Sequence, residues 1–277
     1  MNLRNVAYRT HQMPFSADIY KSLTNPRNNE PKPKKEKTER IVFHGDRSKK
    51  HVALTFDADM TPQMRYDLQS GSVSSYYDQN LISILEETGT KATLFLSGMW
   101  IESYPQVARE LAVNSLFELG NHTYSHPAFH NACYGLTQVQ EQQKKAELEK
   151  TQKLLKDIVG YNNKLFRFPG GCYSHADLEV VSSTGQVAIH WDVAAQDGFN
   201  TDTTNIISNV VDNVQNGSIV VMHMNGYPNE PATANAIQLI ISILSDRNYE
   251  FVTVSELLDF KKEKALDVKK ILSLNIN

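Results

Sequence analysis

The chain has 277 residues, 40% hydrophobic and 21% charged, and a formal net charge of -3. This is an ordinary globular composition, long enough for one domain with a sizeable core, and a pI near 6.3 lacks the basic footprint of a nucleic-acid binder. Two cysteines, Cys133 and Cys172, exclude a disulfide framework holding up a small fold; one bridge and two free buried thiols both remain open. No apolar run approaches the ~18 residues of a transmembrane helix. Met1 to Ser16 lacks the apolar core of a signal peptide, so the expectation is an intracellular protein or an export signal outside this chain.

Residues 1–20 carry a few aromatics and give no readable role. From Lys21 to Arg40 the chain is rich in Pro, Asn, Lys and Glu (NPRNNEPKPKKEKTER). Such a segment cannot bury enough surface to offset the entropy of ordering it. Residues 1–50 are therefore read as an N-terminal arm and polar linker, and residues 51–277 as the folded domain.

Beyond Arg40, strand-like and helix-like segments alternate. The pattern predicts strands at Val52–Phe56, Ala92–Ser97, Phe117–Asn121, Leu165–Phe168, Val187–Asp192, Ser218–Met222 and Phe251–Val254. Apolar stripes predict helices through Leu81, Ile84 and Leu85, closed by Gly89; through Ile207, Val210, Val211 and Val214; and through Ile237, Ile240, Ile241 and Leu244. A longer polar helix is predicted over Thr137–Val159, with Thr137 and Gln140 in capping-box spacing. About seven strand-helix units in alternation predict an α/β fold with a parallel sheet, a distorted or incomplete (β/α) barrel, with a doubly wound sheet as the alternative. An insertion between Met60 and Gln79 is long enough to form a lid or a rim.

The polar residues that could do chemistry fall at the carboxyl ends of these strands, the face on which barrels build their sites. Asp57 and Asp59 stand two apart after the first strand. On extended backbone they point the same way, and two carboxylates held together need a cation or divided proton-transfer roles; a solvated turn is the plain alternative. His122 and His126 (HTYSH) follow the third strand at ligand spacing. With Asp59 they make two imidazoles and one carboxylate, a donor set suited to Zn²⁺ or Fe(II) with an open position for water. Arg167 ends the fourth strand and, if buried, needs a carboxylate partner, for which Asp57 and Asp197 are available. Asp197 follows the fifth strand, and His223 closes the sixth.

Five blocks in order, TFDAD (55–59), HTYSH (122–126), RFPGGCY (167–173), WDVAAQD (191–197) and VVMH (220–223), resemble the polysaccharide deacetylases of carbohydrate esterase family 4. The flanking KATLFLSG (91–98) and YEFVTVSEL (249–257) resemble that family too, so the likeness runs from about His51 to Leu258. The resemblance implies a catalytic domain that removes N-acetyl groups from an amino-sugar polymer or oligomer of the peptidoglycan or chitooligosaccharide type, releasing acetate. It implies a divalent cation, Zn²⁺ or another such as Co²⁺, held by Asp59, His122 and His126. Asp57 would be the general base, Arg167 its brace, His223 the general acid, Asp197 the residue orienting it, and the Tyr173 backbone N–H part of the oxyanion hole. The partner it implies is an acetylated glycan, and the location it favours is extracellular or at the cell envelope. The family has two adjacent aspartates in its first block, where Ala58 intervenes here, and Gly198 and Phe199 replace the tryptophan often found after the fourth-block aspartate. Hydrolysis of another C–N bond, in a formamide or cyclic ureide, is the alternative enzyme reading. A sugar-binding module without turnover is the non-enzymatic one.

Overall fold

A computed structural model describes residues 41–131, 133–160, 164–225 and 232–260. The segment Lys21–Arg40, read above as a linker, lies outside them, as do residues 1–20. In chain order the elements are β1 (Ile41–Val42), β2 (His51–Ala58), α1 (Pro62–Ser70), α2 (Gln79–Glu87), β3 (Ala92–Leu96), α3 (Gly98–Ser103), α4 (Pro105–Val113) and β4 (Phe117–Asn121). They continue with α5 (Lys144–Val159), β5 (Leu165–Phe166), α6 (His175–Ser183), β6 (Val187–Ile189), β7 (Val193–Ala194), α7 (Thr203–Val211), β8 (Ser218–His223), α8 (Ala232–Asp246), β9 (Glu250–Phe251) and α9 (Val254–Leu257).

The strands form one sheet in the order β1-β6-β5-β4-β3-β2-β8-β7, with β9 added to β2. Each described strand pairing is parallel. β1 and β7 end the path without pairing to each other, so the barrel is incomplete, as the alternating pattern predicts. No helix among the described residues is long and apolar enough to cross a membrane.

Alternation along β2 sorts the core. Val52, Leu54, Phe56 and Ala58 face a cluster shared with the helices, including Leu81, Leu85, Ile237, Ile240 and Leu244. Ala53 faces the interior, where Phe95, Leu165, Ile189 and Ile219 meet it. Side chains therefore fill the barrel as a packed core, not a pore, each fully buried Phe or Ile contributing roughly 1.5–3 kcal/mol. Gly120 is required here by close approach, because a Cβ on it would come within 2.4 Å of the Phe95 ring.

Several boundaries differ from the sequence reading, among them the strand expected over Leu165–Phe168, which ends at Phe166, and four differences have a local physical reason. Residues 41–50 belong to the sheet domain rather than to the linker: Ile41–Val42 pairs with Ala188–Ile189, and the Gly45 N–H bonds the Gly217 carbonyl at 2.8 Å. The strand expected over Val187–Asp192 stops at Ile189, and the chain crosses the open seam to start β7 beside β8. Asp192 sits at that crossing, its carboxylate accepting from the Ile219 N–H at 2.8 Å and from Arg47 at 2.7 Å. The helix expected from Thr137 starts at Lys144 after a 3₁₀ turn, because the Thr137 carbonyl and the Val139 N–H are both bonded to Ala128. β9 ends at Phe251 because Thr253 and Glu256 form a reciprocal capping box that begins α9.

Candidate active site

The sheet register places the first two site residues side by side. Asp57 on β2 is opposite His223 on β8 and opposite Phe95 on β3, all on the interior face. Residues in register on parallel strands share a face, so Asp57 and His223 flank one space. Asp59, two residues on, keeps to the Asp57 side, whereas Ala58 is fully buried in the helix-facing cluster. The i, i+2 spacing thus brings a second carboxylate into the site where an acidic residue at 58 would start from the opposite face.

Arg167 follows β5 and is completely buried. Its Nη1 donates to Asp57 Oδ1 at 2.8 Å and to Thr55 Oγ1 at 2.7 Å, and its guanidinium carbon lies 4.1 Å from the Phe95 ring centroid. Burial lowers the Arg167 pKa from its ordinary value, and Asp57 opposes that shift. The carboxylate expected as its partner is Asp57. Asp197 is engaged elsewhere.

His122 and His126 leave β4 in a strained loop. Thr123 and His126 have φ of 65° and 55°, a left-handed backbone that side-chain-bearing residues enter at a cost. The neighbourhood over-determines it: Glu147 of α5 accepts from the N–H groups of Tyr124 and Ser125 at 2.9 and 2.8 Å, Asn121 Oδ1 accepts from the Thr123 N–H, and the Thr123 carbonyl accepts from the Gly98 N–H and the Thr151 hydroxyl. His122 Nε2 and His126 Nε2 then stand 3.4 and 3.2 Å from Asp59 Oδ1. His122 Nδ1 lies 3.0 Å from the Arg167 carbonyl, a contact that turns Nε2 toward Asp59.

This cluster fits a divalent cation. Asp59 Oδ1 is buried and has no hydrogen-bond partner among the described residues despite the two nearby imidazoles. One ligand atom from each of Asp59, His122 and His126 falls within 4.8 Å of the others. Burial would raise the Asp59 carboxyl, but His126 and His122 outweigh it and hold it well below the usual carboxylate range. An ionised carboxylate with two imidazole nitrogens is the donor set that Zn²⁺ accepts.

On the other side of Asp57, His223 Nδ1 pairs with Asp197 Oδ1 at 2.9 Å. Asp197 Oδ2 is held by the His223 N–H at 2.7 Å and by the Thr233 hydroxyl at 2.6 Å. Burial would lower the His223 pKa, but Asp197, then Asp59 and Asp57, push it up to about 10. Gly198 lies against this ring, since a Cβ there would be 3.0 Å from His223 Cε1.

These side chains open into a cleft of about 610 Å³ lined by Asp57, Asp59, His122, His126, Asp197 and His223, with Trp191, Tyr134 and Phe199 also in its lining. The insertion after Met60 supplies Met64, Tyr76 and Asp78, and so forms part of the rim. The Tyr173 ring stacks on Phe168 at 5.4 Å, and the cleft lining reaches this loop at Gly170. Cys133 and Cys172 are joined by a disulfide, which ties the loop after β4 to the loop after β5.

Sequence reasoning missed Asn225, Thr55, Thr233 and Glu147. Asn225 exchanges two hydrogen bonds with the Asp59 backbone, at 3.0 and 2.6 Å. The period of two that pairs Asp57 with Asp59 also points to Thr55 on β2 and to Asn225 beyond His223. Glu147 sits on a polar helix and Thr233 among the buried alanines that begin α8, with nothing in either local pattern to mark them.

A family model for polysaccharide deacetylases matches residues 44–189. The chain belongs to that family. It is 28% identical over 223 residues to a peptidoglycan-N-acetylglucosamine deacetylase of Bacillus cereus, covering 80% of this chain and 74% of that protein. It is 28% identical over 183 residues to YlxY of Bacillus subtilis, covering 66% of this chain and 53% of that protein, so the match spans about half the length of YlxY. Its fold is similar to the crystal structure of the peptidoglycan N-acetylglucosamine deacetylase Bc1960, with a TM-score of 0.67 and 25% identity over 81% of this chain and 95% of that one. The incomplete (β/α) barrel is thus the fold of a family relative as well as the one predicted from strand and helix alternation.

Proposed function

We propose that this chain hydrolyses the N-acetyl group of an amino sugar in a glycan polymer or oligomer, of the kind found in peptidoglycan, releasing acetate. The observation that carries this reading is the convergence of two braced acid/base groups, Asp57 with Arg167 and His223 with Asp197, beside the Asp59-His122-His126 cluster. A binding module needs no such pair.

Asp59, His122 and His126 would hold a divalent cation such as Zn²⁺. When bound, that cation would polarise the acetyl carbonyl and acidify water. Asp57 Oδ1 is occupied by Arg167, so Oδ2, which faces His122 Nε2 at 3.7 Å, is the oxygen that accepts the proton of the attacking water. His223 keeps Nδ1 on Asp197 and so presents Nε2 to the leaving nitrogen. As the water oxygen bonds the carbonyl carbon and the C–N bond breaks, the Nε2 proton passes to nitrogen and the water proton resides on Asp57. The products are acetate and a free amine. The oxyanion formed between these steps needs donors, and the resemblance of RFPGGCY to the family block supports the Tyr173 backbone N–H as one.

Acetate release should be measured on acetylated peptidoglycan fragments, N-acetylglucosamine oligomers and acetylated xylan, with chelator-stripped protein and with Zn²⁺ restored. The expected result is zinc-dependent release from one of the amino-sugar substrates. Stoichiometric metal binding without acetate release from any of them would replace this reading with the inactive module.

A further inference from the structure

The carboxylates in the cleft lining are Asp57, Asp59, Asp78 and Asp197. Three of them have partners already described: Asp57 pairs with Arg167, Asp197 pairs with His223, and Asp59 faces His122 and His126. Asp78, near the end of the insertion that follows Met60, has no such partner among the described residues. It is only 6% exposed. Burial raises its carboxyl from the ordinary value, against the pull of the Leu81 and Asn80 N–H groups.

One oxygen of this carboxylate has a structural task. Asp78 caps α2, with Oδ1 accepting from the Asn80 and Leu81 N–H groups at 3.0 and 3.2 Å. Capping needs only that oxygen. Oδ2 is buried and has no hydrogen-bond partner. A buried acceptor left unpaired is a cost that folded proteins rarely carry, and on a residue of the cleft wall it can be met by a donor on the molecule that fills the cleft.

Asp78 is also held close to the reacting groups. Its N–H bonds the Met224 carbonyl at 3.0 Å, and the Met224 N–H bonds the Asp57 carbonyl at 2.9 Å, so two backbone hydrogen bonds join Asp78 to Asp57 through the residue that follows His223. The chain before the cap is pinned as well: Trp100 Nε1 donates to the Tyr76 carbonyl at 2.8 Å, and the Tyr104 hydroxyl accepts from the Tyr76 N–H at 2.6 Å. Turning Oδ2 toward solvent would take Oδ1 off the helix, so the free acceptor keeps its place before any ligand arrives.

Such an acceptor takes a hydroxyl and disfavours an anion. A carboxylate brought beside Asp78 would meet a like charge with no cation set against it, in a buried setting that screens poorly. We propose that Asp78 is a specificity-determining residue: Oδ2 accepts a hydrogen bond from a hydroxyl of the sugar being deacetylated, and Asp78 thereby favours a neutral N-acetylated sugar over one that carries a carboxylate. This rests on the deacetylase reading above for what reacts.

The test uses a peptidoglycan glycan strand, in which neutral N-acetylglucosamine alternates with N-acetylmuramic acid, whose lactyl ether bears a carboxylate. Mass spectrometry of the products reads which sugar has lost its acetyl group. The Zn²⁺-loaded parent chain should act on N-acetylglucosamine in preference. Asp78→Asn keeps an oxygen for the cap and puts an N–H donor in place of Oδ2, and Asp78→Ser keeps a capping hydroxyl and removes Oδ2. Each should lower kcat/KM for N-acetylglucosamine by about tenfold, through KM, and Asp78→Asn should reduce the preference over N-acetylmuramic acid by a similar factor. A preference unchanged in both variants, or a parent chain that prefers the muramic sugar, overturns the role of Asp78 and leaves the deacetylase reading standing. If the parent chain releases acetate from neither sugar, the deacetylase reading falls, and calorimetry with the β-1,4-linked tetramer of N-acetylglucosamine decides for Asp78 alone: about tenfold weaker binding in both variants supports it as the acceptor, and equal affinity overturns it.

Discussion

Arg167 reaches from the end of β5 across the barrel to Asp57 at the end of β2, 2.8 Å from nitrogen to oxygen, although β4 and β3 lie between those strands in the sheet. Both residues are withdrawn from solvent, with side-chain exposures of 0% and 5%. In that setting the pair matters chiefly through what its loss leaves behind. Removing one partner of a buried pair typically costs about 3–5 kcal/mol, because the other charge remains uncompensated. Arg167→Ala should therefore lose stability of that order in denaturant unfolding, and Asp57→Asn, which keeps a hydrogen-bond acceptor for the guanidinium, should lose less. Equal and small losses in both would mean that the pair is not the buried link the geometry describes.

The alternation on β2 makes a second prediction. Asp59→Ala and His126→Ala should each lose bound metal by elemental analysis after Zn²⁺ loading. Moving the carboxylate one residue back, in the double variant Ala58→Asp with Asp59→Ala, should fail to restore it. Position 58 is fully buried among Leu and Ile side chains of the helix-facing cluster, so the swap should also destabilise the fold, by several kcal/mol if the charge is retained. Metal bound at full stoichiometry in the double variant would show that the strand end can rotate to present either position.

Much of this arrangement is legible in the sequence because it follows from period two. Val52 to Asp59 alternates between an apolar face and a face carrying Thr55, Asp57 and Asp59, and alternation needs no tertiary information. What is not legible depends on partners distant in the chain. Val187–Asp192 reads as one strand, and it breaks after Ile189 because its partner β1 ends at Val42, the His190 ring takes the Trp191 N–H, and Asp192 turns to the backbone of β8. Thr137 has capping-box spacing to Gln140, yet its carbonyl is claimed by Ala128. Glu147 resembles any acidic residue on a polar helix until the loop of His122 and His126 is seen to hang from it.

The Cys133–Cys172 bond closes a loop of 39 residues. On the chain-entropy argument such a crosslink stabilises by at most about 4 kcal/mol. Thiol titration of unfolded, unreduced protein should find no free thiol. The Cys133→Ser, Cys172→Ser variant should unfold at lower denaturant while keeping its metal, since neither cysteine touches Asp59, His122 or His126. Two titratable thiols in unreduced protein, or unchanged stability in the variant, would count against the bond.

The pair of His223 and Asp197 predicts a specific pH signature. Burial opposes charge on His223, but Asp197 and, more weakly, Asp59 and Asp57 raise its pKa to about 10, against an ordinary value near 6.5. A group whose folded pKa is raised binds its proton more tightly in the folded state. Its stabilising contribution is therefore complete below about pH 6.5 and disappears as pH rises through about 10. Asp197→Asn removes the largest of the charges responsible, so the stability gap between parent and variant should be widest near pH 6 and should close toward pH 10. On the proposed mechanism, in which His223 donates its proton to the leaving nitrogen, the same variant should bring the alkaline limb of acetate release to lower pH, because that proton is lost sooner. A bound divalent cation cancels the pull of Asp59 and Asp57, so metal-loaded protein should also titrate His223 at lower pH than stripped protein. NMR titration of the His223 ring in stripped and Zn²⁺-loaded samples reads this directly. An alkaline limb and a ring titration that stay where they are in Asp197→Asn would remove Asp197 as the group that holds the proton on His223.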